Sequence, residues 1–406
     1  MAEKGLKILM IAPTQFFGDR GVHVQIYEEA KALKKLGHPV VIVTYPVGRD
    51  IQGVEIRRSI RVPFLKKIRI GPSWIKPFLL DPLLMGASIR AAYNLKPDII
   101  HGHLHEGCLI GFVIAKIFRK PLLFDLQGSL TGELRFHKFI GEKGLLYRFF
   151  YFMEHVIDSL PDALVTQSSH MVEDLTKRFR IPENKVFLNY DGVDTSVFYP
   201  MKKDGGLMRT LNLPDNKRII VFIGILSDYQ GVDLMLRALS TMHIQSRPHI
   251  LIIGGPNVEK YKKVAQELGV SDSVTFTGFL PYEKAPAYLS VADCAISLKS
   301  DDTEANGKLY NYLAMGLPVI ASPSRVNKEI LGDIGFFTSD YTPEATAKTI
   351  ARVVTLTGEE LRERGERGRK IAEKNYSWDA NAVRLDGVYR RIVGDHPHGL
   401  RKPSSV

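Results

Sequence analysis

Apolar residues fall along this chain in two alternating rhythms. Short uninterrupted runs, such as LKILMIAP (6–13) and PVVIVTYP (39–46), end in breakers. Runs of this kind read as strands buried on both faces, as a parallel sheet requires. Between these two, VHVQIYEEAKALKKLGH repeats apolar residues at helical spacing and stops at Gly37. Strand, glycine-bearing loop, helix and strand make a βαβ unit. Further strand patterns stand at 98–103 (DIIHGH), 122–128 (LLFDLQG) and 162–168 (DALVTQS). The stretch 193–217 gathers proline, glycine and charge without periodicity, and is expected to be a linker. The rhythm then restarts, with strands expected at 218–226, 249–255, 273–280, 294–298 and 318–323 and a helix near 231–242. From 344 to about 394 the pattern is mostly helical, and its last helix is SWDANAVRLDGVYRRIV (377–393). The fold class expected is α/β, as two doubly wound parallel sheets with a cleft between the domains.

Length agrees, since 406 residues exceed what one core ordinarily organises. Apolar content of 45% and charged content of 24% are globular values. The net charge of +11 suggests anionic company: nucleotides, membrane phosphates or nucleic acid. Cys108 and Cys294 are the only cysteines, which fits a reduced compartment and offers neither a disulfide framework nor zinc spacing. No signal peptide is read at the N-terminus. The longest nearly uninterrupted apolar run, CLIGFVIAKIF (108–118), contains a lysine and is well short of the ~18 residues that span a bilayer. A cytoplasmic location is expected, with contact to the inner face of the cell membrane left open.

Four stretches carry candidate chemistry. In SDDTEANGKLYNYLAMGLPVIASP (300–323), Asn306 is expected to cap a helix over 307–315, Leu309 and Leu313 to anchor it, and Gly316 with Pro318 to end it. An ordinary capped helix accounts for those residues but not for Glu304, Lys308 and Asn311. A lysine in the first helical turn opposes the helix dipole. It makes sense if an anion binds there, because the ammonium and the amides about Gly307 can all donate to phosphate oxygens. Glu304 and Asn311 would then accept from sugar hydroxyls. In GDRGVHVQ (18–25), Gly21 would let a ligand approach a helix N-terminus, although a plain strand-to-helix turn reads the same way. The spacing GxGxxG is absent, which argues against a dinucleotide cofactor.

The histidines of HGHLHEG (101–107) alternate at strand spacing, so His101, His103 and His105 could share a face. Metal binding is one reading; the other, preferred because a strand ends here, is a polar lining through His103. Finally, RRSIRVPFLKKIRIGPSWIKPFLL (57–80) carries seven basic and no acidic residues among aromatic and aliphatic ones. That suits an anionic membrane surface, where each Lys or Arg contributes roughly 1 kcal/mol. Nucleic acid is a rival without a recognisable module, and a solvated loop with its apolar residues turned inward is another.

In order along the chain, five segments resemble the retaining glycosyltransferases of family 4, which have the GT-B fold. They are RGVHVQIYEEAKALKKLGHPVVIVT, DGVDTSVFYP (191–200), FIGILSDYQGVDLML, LYNYLAMGLPVIAS and YSWDANAVRLDGVYRRI. The resemblance implies two Rossmann-like domains, 1–200 on the acceptor side and 201–375 binding a nucleotide sugar. It also implies that the helix 376–394 packs back on the first domain; the tail 395–406 is expected to be mobile. The implied activity is transfer of a sugar from a UDP- or GDP-type donor to a hydroxyl with retention of configuration. A lipid-linked or cell-envelope glycan is the acceptor class that fits, and nucleic acid is not a partner. By resemblance the leaving phosphate itself takes the acceptor proton; no metal is expected, because the helix dipole and a lysine can supply the positive charge, and no cofactor beyond the co-substrate is expected.

Departures from the family pattern matter. Where relatives place Arg and Lys on the diphosphate, this chain has Ile225 or Leu226 and Gln230. The family's two glutamates fall on Thr303 and Asn311, with Glu304 serving as the first only after a one-residue loop shift. The family's acceptor-side histidine corresponds to Gln127. The donor is therefore expected to meet Gly21, Gly224, Gln230, Phe279, Leu280, Glu304, Asn306, Gly307, Lys308, Leu309 and Asn311. Its base would lie near 277–280 and its diphosphate near Gly224 and Lys308. Lys308 would stabilise the leaving group, Glu304 would hold the donor sugar, and Asp125 would orient groups or act as base. The acceptor is placed near Gly21, His103, Asp125 and Gln127. Two alternatives remain at this point: a catalytically silent nucleotide-sugar-binding relative, and a GT-B nucleotide-sugar epimerase.

Overall fold

The computed structural model describes residues 5–18, 21–63, 65, 68, 73–136, 138–300 and 306–396. The chain folds as two compact units. Described residues of Met1–Asp191 and Trp378–Val406 form the first, and those of Gly192–Asp302 and Asn306–Ser377 the second. The division thus falls after Asp191 and Ser377, because Val193 bridges to Ser377 and donates its amide to the Tyr376 carbonyl at 2.8 Å.

Seven strands build the described sheet of the first unit: β1 (Ile8–Ala12), β2 (Val40–Thr44), β3 (Glu55–Arg58), β4 (Ile99–His103), β5 (Leu122–Leu126), β6 (Ala163–Thr166) and β7 (Val186–Leu188). All are parallel, in the order β3-β2-β1-β4-β5-β6-β7. The second unit holds β8 (Ile219–Ile223), β9 (His249–Ile253), β10 (Val274–Gly278), β11 (Cys294–Ser297), β12 (Val319–Ala321) and β13 (Phe336–Phe337). These are also parallel, ordered β10-β9-β8-β11-β12-β13. Both sheets are doubly wound: strand order reverses between β1 and β4, and again between β8 and β11. In open sheets of this type, ligands gather beyond the carboxyl ends of the strands at that reversal.

Both faces of each sheet are covered, which is why the strands read as unbroken apolar runs. Along β1 the side chains alternate, Ile8 and Met10 entering one core and Leu9 and Ile11 the other. The core holding Ile8 and Met10 is completed by Trp378, Ala382, Leu385 and Tyr389 of the last helix, Trp378–Asp395. Burying such side chains contributes about 1.5–3 kcal/mol each, which holds this C-terminal helix to the first unit.

The pattern did not signal β3, β7 or β13. The first is a partly exposed, charged edge strand, and the other two are only three and two residues long. The expected linker also holds structure: a helix spans Gly205–Thr210, capped by Asp204, whose carboxylate accepts from the Gly206 and Leu207 amides. Beyond His396 the expected tail lies outside the described residues.

Candidate active site

At the reversal point of the second sheet, β8 is followed by Gly224, whose φ of 153° favours a residue without a side chain. Glycine is also demanded by its neighbours. A methyl on Gly224 would lie 3.1 Å from Lys308 Cε, and one on Gly254, after β9, would lie 1.9 Å from the Gly224 carbonyl oxygen. Lys308 opens the helix Lys308–Ala314. Its Nζ donates to Gln230 Oε1, lies 3.4 Å from Asn306 Oδ1 and sits 5.2 Å from the centre of the Phe222 ring. Tyr312 of the same helix accepts the Ile223 amide at 2.9 Å, tying the helix to the end of β8. Burial, and after it the charge of Lys299, push the Lys308 ammonium down from 10.5 to about 7. The site therefore holds two nearby lysines, one of which sequence reasoning missed. Its signal was present: Lys299 closes the apolar run CAISL, where a strand tip meets ligands.

Two expectations for this helix change. Asn306 is no N-cap; Gly307 takes that position without a side-chain bond. The Asn306 amide instead donates to Ser297 Oγ at 3.0 Å and Asn327 Oδ1 at 2.7 Å, because buried polar partners outcompete a cap. The amides of Leu309 and Tyr310 are engaged by the carbonyls of Asn306 and Gly307. Thr303 and Glu304 lie outside the described residues. Gly307 is exposed, Asn311 half-buried and Leu309 buried. Following β10, Phe279 is 70% exposed, its ring packed so closely over Gly255 that a methyl there would lie 2.7 Å away. Leu280 beside it is half-buried.

In the first unit, Asp125 is the centre of a buried network. Its Oδ2 accepts from Gln25 Nε2 at 3.2 Å, His103 Nδ1 at 2.8 Å and Gln127 Nε2 at 2.8 Å. Its Oδ1 accepts from Gln167 Nε2 at 2.8 Å. A carboxylate accepts, so Nδ1 of His103 donates this bond. With four donors gathered on its two oxygens, Asp125 is built to orient its neighbours. Gln25 and Gln167 were not foreseen: nothing local marks a glutamine that closes a contact over 100 or 42 residues. Gly21 opens the helix Gly21–Lys35 at the reversal point of this sheet, and a methyl on it would meet nothing within 4 Å.

The three histidines do not share a strand face. β4 ends at His103, and Leu104 turns with φ of 60° into the helix Leu104–Phe118, which carries His105 away. His101 and His103 stay together, rings 4.2 Å apart, and Tyr389 of the last helix bonds His101 Nδ1 at 2.8 Å. Burial, then His103, hold the His101 imidazole well below the usual range. Burial, then Asp125, raise the Glu29 carboxyl beside them.

The basic segment divides. Arg57 pairs with Glu55, while Arg58 bonds the Phe16 and Arg49 carbonyls and Asp50, so both are held by the protein itself. Ile68 is buried, whereas Trp74 and Phe78 are 63% and 76% exposed and stack on each other. Phe64, Lys66, Lys67 and residues 69–72 lie outside the described residues.

Comparison with known proteins places this geometry. The family described as Glycosyl transferases group 1 matches residues 207–371, and Glycosyltransferase Family 4 matches residues 20–197. The chain is 28% identical over 256 residues to spore coat protein SA of Bacillus subtilis, covering 59% of this chain and 67% of that one. It is 23% identical over 403 residues to an uncharacterised glycosyltransferase of Methanocaldococcus jannaschii, covering 95% and 98%. Among solved structures, Anabaena HepE in complex with UDP and glucose matches with a TM-score of 0.77 at 15% identity, covering 95% of this chain and 100% of that one.

Proposed function

Because the chain belongs to the group 1, family 4 glycosyltransferases and has their two-domain GT-B fold, we propose a retaining, metal-independent transfer from a nucleotide-diphosphate sugar to a hydroxyl. The observation that carries this reading is the Lys308 ammonium held against Gly224 where strand order reverses. A diphosphate leaving group gains most from fixed positive charge where its own charge develops. Lys308 and Lys299 supply that charge, in place of the arginine and lysine expected at 224–231. The base rests on the exposed Phe279 ring by Leu280, and the ribose hydroxyls meet Asn311. Glu304 holds the donor sugar. The acceptor is taken up by the first unit near Gly21, His103 and Gln127, with Asp125 orienting both side chains. Departure of the diphosphate leaves an oxyanion on its terminal phosphate, which accepts the incoming hydroxyl's proton.

Incubating the protein with labelled nucleotide sugars and membrane extract tests this directly. Transfer yields labelled lipid or glycan. A new nucleotide sugar would mean epimerisation, and thermal stabilisation with no product would mean a silent binder; either result overturns the proposal.

Features of the first unit's surface support one acceptor class. No helix among the described residues is long and apolar enough to cross a membrane. Yet Leu145, Phe149 and Phe152 of the helix Leu145–Ser159 are 86%, 53% and 60% exposed, as are Trp74 and Phe78. Tyr147, Arg148 and Tyr151 of the same helix line, with Arg178, an open hollow of about 470 Å³. Aromatic groups over guanidinium groups suit the headgroup layer of an anionic bilayer, and this supports a lipid-linked acceptor. Trp74→Ala with Phe78→Ala should reduce sedimentation with anionic vesicles several-fold at constant ionic strength. Undiminished sedimentation would assign the segment to a solvated loop.

A further inference from the structure

His105 sits one residue into the helix Leu104–Phe118 and faces the helix Leu145–Ser159, where Glu154 and Asp158 are one turn apart on one side. All three are buried, at 7%, 1% and 1% exposure. One ligand atom from each lies within 4.8 Å of the others. Glu154 is already oriented: Oε1 accepts the Leu130 amide at 2.9 Å, and Oε2 accepts the Thr131 amide at 3.1 Å and its hydroxyl at 2.5 Å. Asp158 and His105 are different. Among the described residues, neither carboxylate oxygen of Asp158, nor Nε2 of His105, has a hydrogen-bond partner. Leaving buried polar atoms unmatched costs about 1–3 kcal/mol each, and the cost grows if the carboxylate is charged.

Among the described residues, no lysine or arginine forms an ion pair with Glu154 or Asp158. Burial and then Glu154 raise the Asp158 carboxyl; burial dominates the lowering of His105, opposed by Glu154 and Glu106. Among these influences there is no lysine or arginine. Phe124 closes one side, its ring 5.4 Å from that of His105. His105 Nε2 lies 3.6 Å from Asp158 Oδ1, against about 3.4 Å between two ligand atoms on a tetrahedral zinc ion.

We propose that His105, Glu154 and Asp158 form a buried site for one divalent transition-metal ion of the Zn²⁺ or Mn²⁺ type. One imidazole and two carboxylates make a donor set suited to such ions. Two negative charges would be neutralised by the ion, and the unmatched atoms would become ligands. Through Glu154 the ion holds Leu130 and Thr131, and so steadies the segment after β5 that begins with Gln127. The role is structural and takes no part in the transfer step.

The test uses the full chain, stripped with chelator and dialysed against Zn²⁺ or Mn²⁺. Bound metal is measured per chain, together with Tm. The wild type should take up one ion and gain stability, whereas His105→Gln and Asp158→Asn should lose affinity tenfold or more and lose the Tm gain. His101→Gln, at the neighbouring histidine pair, should keep both. No uptake overturns the site, as does uptake that survives both substitutions or is lost in His101→Gln. If Asp158→Asn is more stable than metal-free wild type and metal has no effect, a protonated carboxyl occupies the place and the proposal falls. Should Asp158→Asn not fold, His105→Gln decides alone.

Discussion

Lys308→Ala lowers turnover by about a hundredfold or more, the loss typical when one group that stabilises developing charge is removed. Initial rates with the donor identified from the nucleotide-sugar panel check it, and unchanged turnover would move the phosphate elsewhere. The same ammonium sets a pH dependence. In the folded chain it titrates at about 7, against 10.5 as the ordinary value. Between those values the unfolded chain holds a proton that the folded chain lacks, so stability rises with pH across this window. The cost of burying the charge is full below the lower value and fades towards the upper one. A bound diphosphate favours the charged form. Nucleotide binding near pH 8 should therefore take up a proton and weaken as pH rises. Titration calorimetry in buffers of different ionisation enthalpy reads this uptake, which Lys308→Ala should abolish. Binding heats indifferent to the buffer would mean that the ammonium does not face the ligand.

Asp125→Ala has the largest expected effect on stability. Four side-chain donors, from Gln25, His103, Gln127 and Gln167, converge on this one buried carboxylate. Without it the buried donors of Gln25, His103 and Gln167 are stranded away from water, at a cost of about 3 kcal/mol or more in total. For a unit of this size that corresponds to a Tm lower by roughly 6 °C or more. Asp125→Asn should fall in between, since its carbonyl still accepts while its amide opposes the donors. Thermal unfolding followed by circular dichroism measures both variants. A Tm unmoved in the alanine variant would show that the donors find other partners, and would remove Asp125 as the group that orients His103 and Gln127.

Much of the fold was legible because strand burial and helix amphipathicity are local patterns. All ten strand segments read from the chain, the run ending at Lys299 among them, contain a strand at that place, and the three strands not read are short edge strands too brief for periodicity to mark. The order of strands, with its reversal beside Gly224, followed from alternating strand and helix patterns only as a class of topology. The site was legible more narrowly. Lys308 could be singled out because a cation at the start of a helix is locally unfavourable, a conflict visible in seven consecutive residues. That its ammonium rests on Gln230 and Phe222 could not be seen, since those partners are 78 and 86 positions away.

Apolar periodicity, then, decided by itself that this chain forms two parallel α/β sheets, because burial on both faces leaves its mark in every strand. Tertiary structure alone decided which polar groups meet: that Asp125 gathers glutamines from distant elements, that Asn306 turns inward, and that His105 leaves its neighbours for Glu154 and Asp158. A hydrogen bond is specified by distance and angle in space, and separation along the chain carries no record of either.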